Sequence, residues 1–264
     1  HEHNDYKLMI GRNTIKLIKS LQKKKAREEE GLYAIEGDKL VREYLAAGKR
    51  ISLLAAKPEF IASLGQAERA FIGEITPVSY EELKRISSLT TPHNALAVVP
   101  IPDRPPLATD KLQGPGIALE SMQDPGNLGT IIRAAAWFGI RTIICSANSV
   151  DVYNPKVIQA SMGAILNVEV HYAELELILQ DAVKAGLPVY GTFLEGEAIY
   201  EAELEEKGII LFGNESKGIS GNLAPFVSKK LFIPGFPVSK YGVESLNVGM
   251  AASIVLSEFA RRRK

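Results

Sequence analysis

A two-domain α/β protein is predicted by three observations. The stretch "VVPIPDRPPLA", Val98 to Ala108, holds four prolines; proline fixes φ and lacks an N–H, so this segment continues neither a helix nor a central strand and reads as a semi-rigid linker. Beyond it, short apolar runs alternate with helical patterns, the mark of a mostly parallel sheet covered on both faces. Before it lies a shorter α/β pattern. The expected domains are 1–106 and 107–264, split near residue 106.

In the first domain, residues 12 to 27 are expected to form a leading helix, with Ile15, Leu17, Ile18 and Leu21 as a partial apolar stripe. "LYAIEGDKLVREYLAAG" reads as a strand and then a helix from about Asp38 to Ala47, ended by Gly48. "ISLLAA" is a strand, "PEFIASL" a helix, "ITPVSYEELKRISSL" a strand end and a helix, and "ALAVVP" a strand. In the second domain the expected strands are "GIALES" (116–121), "RTIICSA" (141–147), "ILNVEV" (165–170), "PVYGTF" (188–193), "GIILFG" (208–213) and "KLFIPG" (230–235). Helical patterns lie at 127–138, 154–162, 173–185, around 220–227 and at 245–262.

Composition narrows the class. Of 264 residues, 46% are hydrophobic and 23% charged, a mix that buries real cores. No apolar run approaches the roughly 20 residues of a membrane span, and "HEHNDYKLMI" lacks the apolar stretch of a signal peptide. The single cysteine, Cys145, makes neither a disulfide framework nor a cysteine metal site, which fits a reducing cytoplasm. Net charge is zero, but residues 7 to 27 carry Lys7, Arg12, Lys16, Lys19, Lys23, Lys24, Lys25 and Arg27 with no acid, before "EEE". Such a run is either a solvated helix face or a phosphate-contacting surface.

Ligands of open α/β sheets sit beyond the carboxyl ends of the strands, and three loops there combine glycine with polar residues. In "ESMQDPGNLGTIIRAAAWFGI", Pro125 and Gly126 force a turn and Asn127 can start a helix. Leu128, Ile131, Ile132, Ala135, Ala136 and Gly139 form a stripe toward the sheet, with Arg133 on the other side beside Thr130 and Trp137. A tryptophan opposite a full core stripe points to a second buried contact, such as a subunit interface. "ILFGNESKGIS" resembles a phosphate loop only in the separation of Gly213 and Gly218; Ile219 stands where the lysine belongs. Gly213 after a buried strand permits close approach of a ligand to the backbone, and Glu215 is either a helix-start acid or a site residue. In "FIPGFPVSKYGVESLNVG", Ser245 and Asn247 precede a buried helix, so each either caps it or lines a pocket.

Taken together the three loops resemble the SpoU (TrmH-like) branch of the SPOUT methyltransferases, which transfer a methyl group from S-adenosylmethionine to a ribose 2′-hydroxyl of tRNA or rRNA. The first family motif is similar to "DPGNLGTIIRAAAWFG", the second to "LFGNESKGIS" and the third to "IPGFPVSKYGVESLNVGMAASI", in order across roughly residues 114–262. One departure is "FPVSKYG" (236–242), longer than the usual link.

The resemblance implies a deep trefoil knot, a homodimer, and a cofactor held near Phe193, Gly213, Asn214, Ile233, Ser245 and Leu246. It also implies Asn127, Arg133, Glu215, Ser245 and Asn247 as the catalytic set and no metal. "YAIEGDKLVREYL" resembles more loosely the L30e-like substrate-binding domain that accompanies many such enzymes. An RNA substrate would give the basic run a partner, with Lys23, Lys24, Lys25 and Arg27 as contacts. Ribosomal RNA is expected over tRNA, because a separate domain suits a large structured substrate.

Methyl transfer needs in-line positioning and management of the hydroxyl proton. A guanidinium with pKa above about 12 is a poor base, so Arg133 is expected to bind the adjacent phosphate and stabilise the developing alkoxide. Asn127 and Asn247 would orient the ribose or fix the loops, and Glu215 would anchor Arg133 or its loop. Two rivals are weighed. A catalytically silent knotted RNA-binding protein sits poorly with an intact Arg133 and Ser245-Leu246-Asn247. A dinucleotide-dependent oxidoreductase lacks its glycine turn, since "GPG" at 114–116 precedes the strand.

Overall fold

The computed structural model describes residues 10–239 and 241–263, so Lys7 of the basic run lies outside the described residues. Two compact units are present. One holds the described residues up to Asp103 together with Tyr153–Leu166; the other holds Arg104–Val152 and the chain from Asn167 onward.

In the first unit the leading segment forms two helices rather than one, α1 (Arg12–Ser20) and α2 (Lys24–Glu30). Then follow β1 (Leu32–Glu36), α3 (Asp38–Ala46), β2 (Ile51–Ala56), α4 (Pro58–Ala62), α5 (Gln66–Arg69), β3 (Ile72–Pro77), α6 (Tyr80–Ile86) and β4 (Ala95–Pro100). The strands lie in the order β1-β4-β2-β3, with β2 and β3 parallel and β4 antiparallel to both its neighbours. Ile18 and Leu21 of the expected stripe are buried with Leu53, Leu83, Ile86 and Val98, while Ile15 and Leu17 pack at the margin. The break between α1 and α2 has a buried cause. Arg27 is only 2% exposed, and its Nη1 donates to the carbonyl of Leu21 at 3.0 Å. That carbonyl lies where the helix has ended, so the cation satisfies it. This corrects the expectation for Arg27, which is not on the surface, whereas Lys23, Lys24 and Lys25 are exposed. In the stretch joined from later in the chain, the Tyr153 ring lies 4.4 Å from that of Tyr33.

The second unit opens with β5 (Pro115–Leu119), α7 (Pro125–Trp137) and β6 (Thr142–Cys145). After α8 (Pro155–Ser161), which belongs to the first unit, come β7 (Glu169–Tyr172), α9 (Leu175–Lys184), β8 (Val189–Ala198), β9 (Gly208–Phe212), β10 (Lys229–Phe232) and α10 (Val248–Arg261). The sheet is parallel throughout, in the order β10-β8-β9-β5-β6-β7. β5 and β9 are buried at every position, which is why "GIAL" and "GIILF" read as continuous apolar runs rather than alternating ones. The chain runs outward from β5 through β6 to β7 and then crosses to β8, so β9 and β5 flank the reversal of strand order where such sheets bind ligands.

Three expectations are corrected. "ILNVEV" is strand only in its last two residues: Ala164–Asn167 forms a 3₁₀ turn before β7. Around 220–227 there is only a 3₁₀ turn, Ala224–Phe226, with Pro225 inside it. On α7, Leu128, Ile131, Ile132 and Ala135 are buried as expected, but Ala136 is half-buried and Gly139 lies exposed beyond the helix end at φ 71°. That left-handed conformation suits a residue just past a helix C-terminus. Thr130, Arg133 and Trp137 share the exposed side, Trp137 at 84%.

Cys145 ends β6 fully buried, and burial pushes its thiol up to about 12. The thiol is therefore protonated at neutral pH and shielded. Maleimide or iodoacetamide is expected to leave the folded protein unlabelled at pH 7.5 and to modify one thiol after denaturation, as mass spectrometry would read.

Candidate functional site

The site begins where β5 ends. Ser121 has φ 52°, an uncommon left-handed conformation for a non-glycine residue, and neighbouring strand ends hold it there. Its N–H donates to Ser146 Oγ at 2.7 Å and its hydroxyl accepts from Asn148 Nδ2 at 2.8 Å, both beyond β6. Its carbonyl accepts from Asn214 Nδ2, beyond β9, at 2.8 Å. Beside it, Glu120 accepts from the N–H and the hydroxyl of Ser220 at 2.7 and 2.6 Å.

From this point the chain turns into α7. Asp124 is the N-cap: Oδ2 accepts from the Asn127 N–H at 2.8 Å, and Pro125 opens the helix. Asn127 therefore sits in the first turn rather than starting the helix. The Asp-Pro pair carries the start signal that the sequence reading assigned to Asn127.

The loop after β9 closes on itself, with Asn214 and Gly218 exchanging backbone hydrogen bonds of 3.1 and 3.0 Å. Asn214 Oδ1 accepts from the N–H groups of Ser216 and Lys217. At Gly213 a Cβ would lie 2.1 Å from the Gly218 carbonyl carbon. A glycine is therefore required at 213 by the chain's own backbone. The turn projects Glu215 across to α7, where Oε1 accepts from the N–H groups of Gln123 at 3.0 Å and Asp124 at 2.9 Å. These donors lead into the positive end of α7, where a carboxylate is favoured. Of the two roles expected for Glu215, anchoring the loop is the one these bonds perform.

The third loop enters through α10. Asn247, not Ser245, is the N-cap: Oδ1 accepts from Gly249 and Met250 N–H at 2.9 and 3.2 Å. Its Nδ2 donates to Asn127 Oδ1 at 3.0 Å, joining positions 120 residues apart in the chain. The close approach requires Gly249, where a Cβ would lie 3.0 Å from Thr130 Cγ2.

The structure thus brings Asn127, Asn214, Glu215 and Asn247 into one hydrogen-bonded arrangement. Arg133 lies on the exposed side of α7, and Ser245 and Leu246 are exposed just before α10. Phe193 lies in a bulge of β8, where the register with β10 jumps from Lys230↔Gly191 to Leu231↔Glu197, and Lys230 Nζ stands 4.9 Å over its ring. Gly213 and Ile233 follow β9 and β10 directly. Phe193, Gly213 and Ile233 thus come from three neighbouring strands. Of the "FPVSKYG" departure, Lys240 lies outside the described residues, and Phe236, Val238 and Tyr241 are exposed. Sequence reasoning missed Glu120, Ser121 and Asp124. Only Asp124 had a signal, its place before a proline; nothing local marks a serine for a left-handed conformation.

The groups these loops present are largely main-chain groups and amide and hydroxyl side chains, with Glu215 already engaged at the start of α7 and with apolar Ile233 and Leu246 beside them. That suits the uncharged adenine and the zwitterionic end of S-adenosylmethionine better than a polyphosphate. Among the described residues no three His, Cys, Asp or Glu side chains group to hold a metal ion.

Asn247 has two separable tasks. Asn247→Ala is expected to lose about 1 kcal/mol of stability with the cap. Asn247→Ser keeps a capping oxygen but not the reach to Asn127, so thermal unfolding should stay close to wild type while methyl transfer falls. Equal activity of the serine variant and wild type would remove the Asn127 tie from the working site.

Residues 115–257 match the SpoU rRNA methylase family and residues 12–97 an MRM3-like substrate binding domain. An uncharacterised tRNA/rRNA methyltransferase of Synechocystis sp. is 30% identical over 95% of this chain and 91% of its own. The 23S rRNA (guanosine(2553)-2′-O)-methyltransferase RlmP of Bacillus subtilis is 28% identical over 92% of this chain and 94% of its own. Among solved structures, a TrmH-family protein of Porphyromonas gingivalis aligns at TM-score 0.86 with 39% identity, covering 97% of this chain and 100% of that one. An AdoMet-bound rRNA methyltransferase of Sinorhizobium meliloti aligns at 0.83 with 26% identity, covering 95% of each. With its three loops drawn to one edge of a parallel sheet and more than half its length matched, this chain belongs to the SpoU rRNA methylase family.

Proposed function

We propose that the protein transfers a methyl group from S-adenosylmethionine to a ribose 2′-hydroxyl of ribosomal RNA. One observation carries the reading: Glu215 and Asn247 tie the second and third loops to the first, at α7, by hydrogen bonds of 2.9–3.0 Å. The AdoMet-bound Sinorhizobium relative supports the cofactor, and the Bacillus relative supports rRNA over tRNA.

S-adenosylmethionine supplies the electrophilic methyl when bound near Phe193, Gly213, Asn214, Ile233, Ser245 and Leu246. The chain's own residues position and stabilise. Arg133, on the exposed side of α7, stays cationic, pairs with the phosphate next to the target ribose and offsets the charge growing on the 2′-oxygen. Asn127 and Asn247 hold the loops on either side of the ribose, and Glu215 keeps the start of α7 in place. Ser245, freed of capping by Asn247, lines the pocket. The resemblance also supports a trefoil knot in this half of the chain. A homodimer would cover Trp137. The functional division falls near residue 106, with residues 1–106 binding RNA. No described helix is long and apolar enough to cross a membrane, and a cytoplasmic setting suits the lone thiol.

Lys23, Lys24 and Lys25 are the RNA-contacting cations. Lys24 and Lys25 open α2 and Glu28–Glu30 close it, an order that opposes the helix dipole and costs about 0.3–1 kcal/mol per charge near an end. The pairs Lys24–Glu28 and Lys25–Glu29, at 3.7 and 3.9 Å, are exposed and return little of that. A cost the helix does not need is the mark of a functional constraint.

Incubating rRNA with labelled cofactor and mapping the modified nucleotide tests the reading; a label on a base, or none on any RNA, would overturn it. Arg133→Ala is expected to cut turnover far more than cofactor affinity. A steep loss of affinity, with turnover surviving at saturating cofactor, would refute that role. Replacing Lys23, Lys24 and Lys25 with Glu should weaken rRNA binding and flatten its logarithmic salt slope by about two to three units.

A further inference from the structure

At the carboxyl ends of β1, β2 and β3 the first unit opens into a groove of about 710 Å³, far in sequence from the three methylase loops. Its walls come from the first turns of the helices that follow these strands, and from Asn94, which precedes antiparallel β4. Two features mark a ligand of mixed character. The Lys57 ammonium stands 5.4 Å over the ring of Tyr80 and forms no ion pair among the described residues. Tyr80 is 42% exposed, so part of its ring stays open beside that cation.

Of the other charges on its walls, Asp38 and Arg42 are already occupied, while Glu59 is an exposed carboxylate two residues from Lys57. Asp38 accepts from the Asn94 N–H at 3.1 Å and from its side-chain Nδ2 at 2.8 Å. Arg42 lies 5.1 Å over the Phe60 ring and donates to Ser63 and to both oxygens of Glu68. What remains is one cation, the Glu59 carboxylate, the open part of one aromatic ring and the amide oxygen of Asn94. A single available cation makes a poor cradle for several phosphates. It fits one phosphate beside one planar, hydrogen-bonding ring.

We propose that this groove receives a single unpaired RNA nucleotide, its base stacked on Tyr80, its edge met by Asn94 and its phosphate by Lys57. The proposal rests on the reading of the protein as an RNA methyltransferase and names a contact for that substrate outside the methyl-transfer site. Base–aromatic stacking needs no particular sequence, because every base has a π face; an amide beside the platform adds preference for the base edge it can pair with.

Filter binding of deproteinised 23S rRNA by the full chain at fixed moderate salt tests this, with calorimetry of S-adenosylmethionine on each variant as an independent readout. Tyr80→Ala is expected to weaken RNA binding about tenfold and Tyr80→Phe less than about twofold, with cofactor affinity unchanged in both. Lys57→Ala should weaken binding and lower the salt slope by about one. Should Tyr80→Ala fold poorly by circular dichroism, Tyr80→Leu and Lys57→Ala decide in its place. The proposal is overturned if the ring-less variants bind the RNA as wild type does, or if wild type does not bind it. If wild type binds but transfers no methyl group, and the ring-less variants still lose binding, the groove stands and the methyltransferase reading falls.

Discussion

The second unit turns on one carboxylate. Glu215 Oε1 takes the N–H groups of Gln123 and Asp124, two donors that the chain exposes as it leaves β5 for α7. Without that acceptor they would be left to solvent, and nothing would tie the second loop to a turn that already contains the strained Ser121. The same bonds set where α7 begins, and hence the placing of Arg133 two turns further on. The turn that delivers Glu215 is stiff because Gly213 is pressed against the Gly218–Ile219 backbone and Asn214 is bonded on both sides. A flexible loop would pay ordering entropy each time the site was assembled. Here that ordering is met during folding.

Asn247 completes the arrangement from the other side by using all of one amide. Its oxygen caps α10 and its nitrogen reaches Asn127, so a residue that would serve any helix start also fixes the distance between two helices. α7 and α10 approach closely only because Gly249 offers no side chain against Thr130. Capping and site building are therefore one interaction, and Ser245 is left uncommitted at the mouth of the loop.

How much of this was legible depends on whether the cause was local. The parallel sheet was, because strands buried on both faces must be apolar throughout, as β5 and β9 are. The positions of Asn127, Glu215 and Asn247 after strands were legible for the same reason, and their motif spacing made the family readable. Three things were not. Arg27 reads as one more surface cation, and only the tertiary break after Leu21 creates the carbonyl that buries it. The packing that demands a glycine at 213 is not local, because the neighbour that excludes a Cβ lies five residues ahead in a folded turn. Ser121 carries no signal, because its conformation is imposed by Ser146, Asn148 and Asn214 from two other strand ends.

A chain with no net charge binds a polyanion only if its charges are sorted, and in the first unit they are. The exposed lysines at the start of α2 stand where the helix dipole disfavours them. On the proposed function they supply the long-range, salt-sensitive part of RNA binding, which aligns a backbone but reads no base. The groove beside Tyr80 differs in offering an aromatic ring and an amide beside its one cation, with Asp38 and Arg42 already bonded and Glu59 also on its wall. Phosphate attraction alone would place the enzyme anywhere on a ribosomal RNA. The nucleotide proposed to stack on Tyr80 would give it a register, and a methyltransferase whose reacting groups recognise only a sugar hydroxyl has to obtain its register elsewhere.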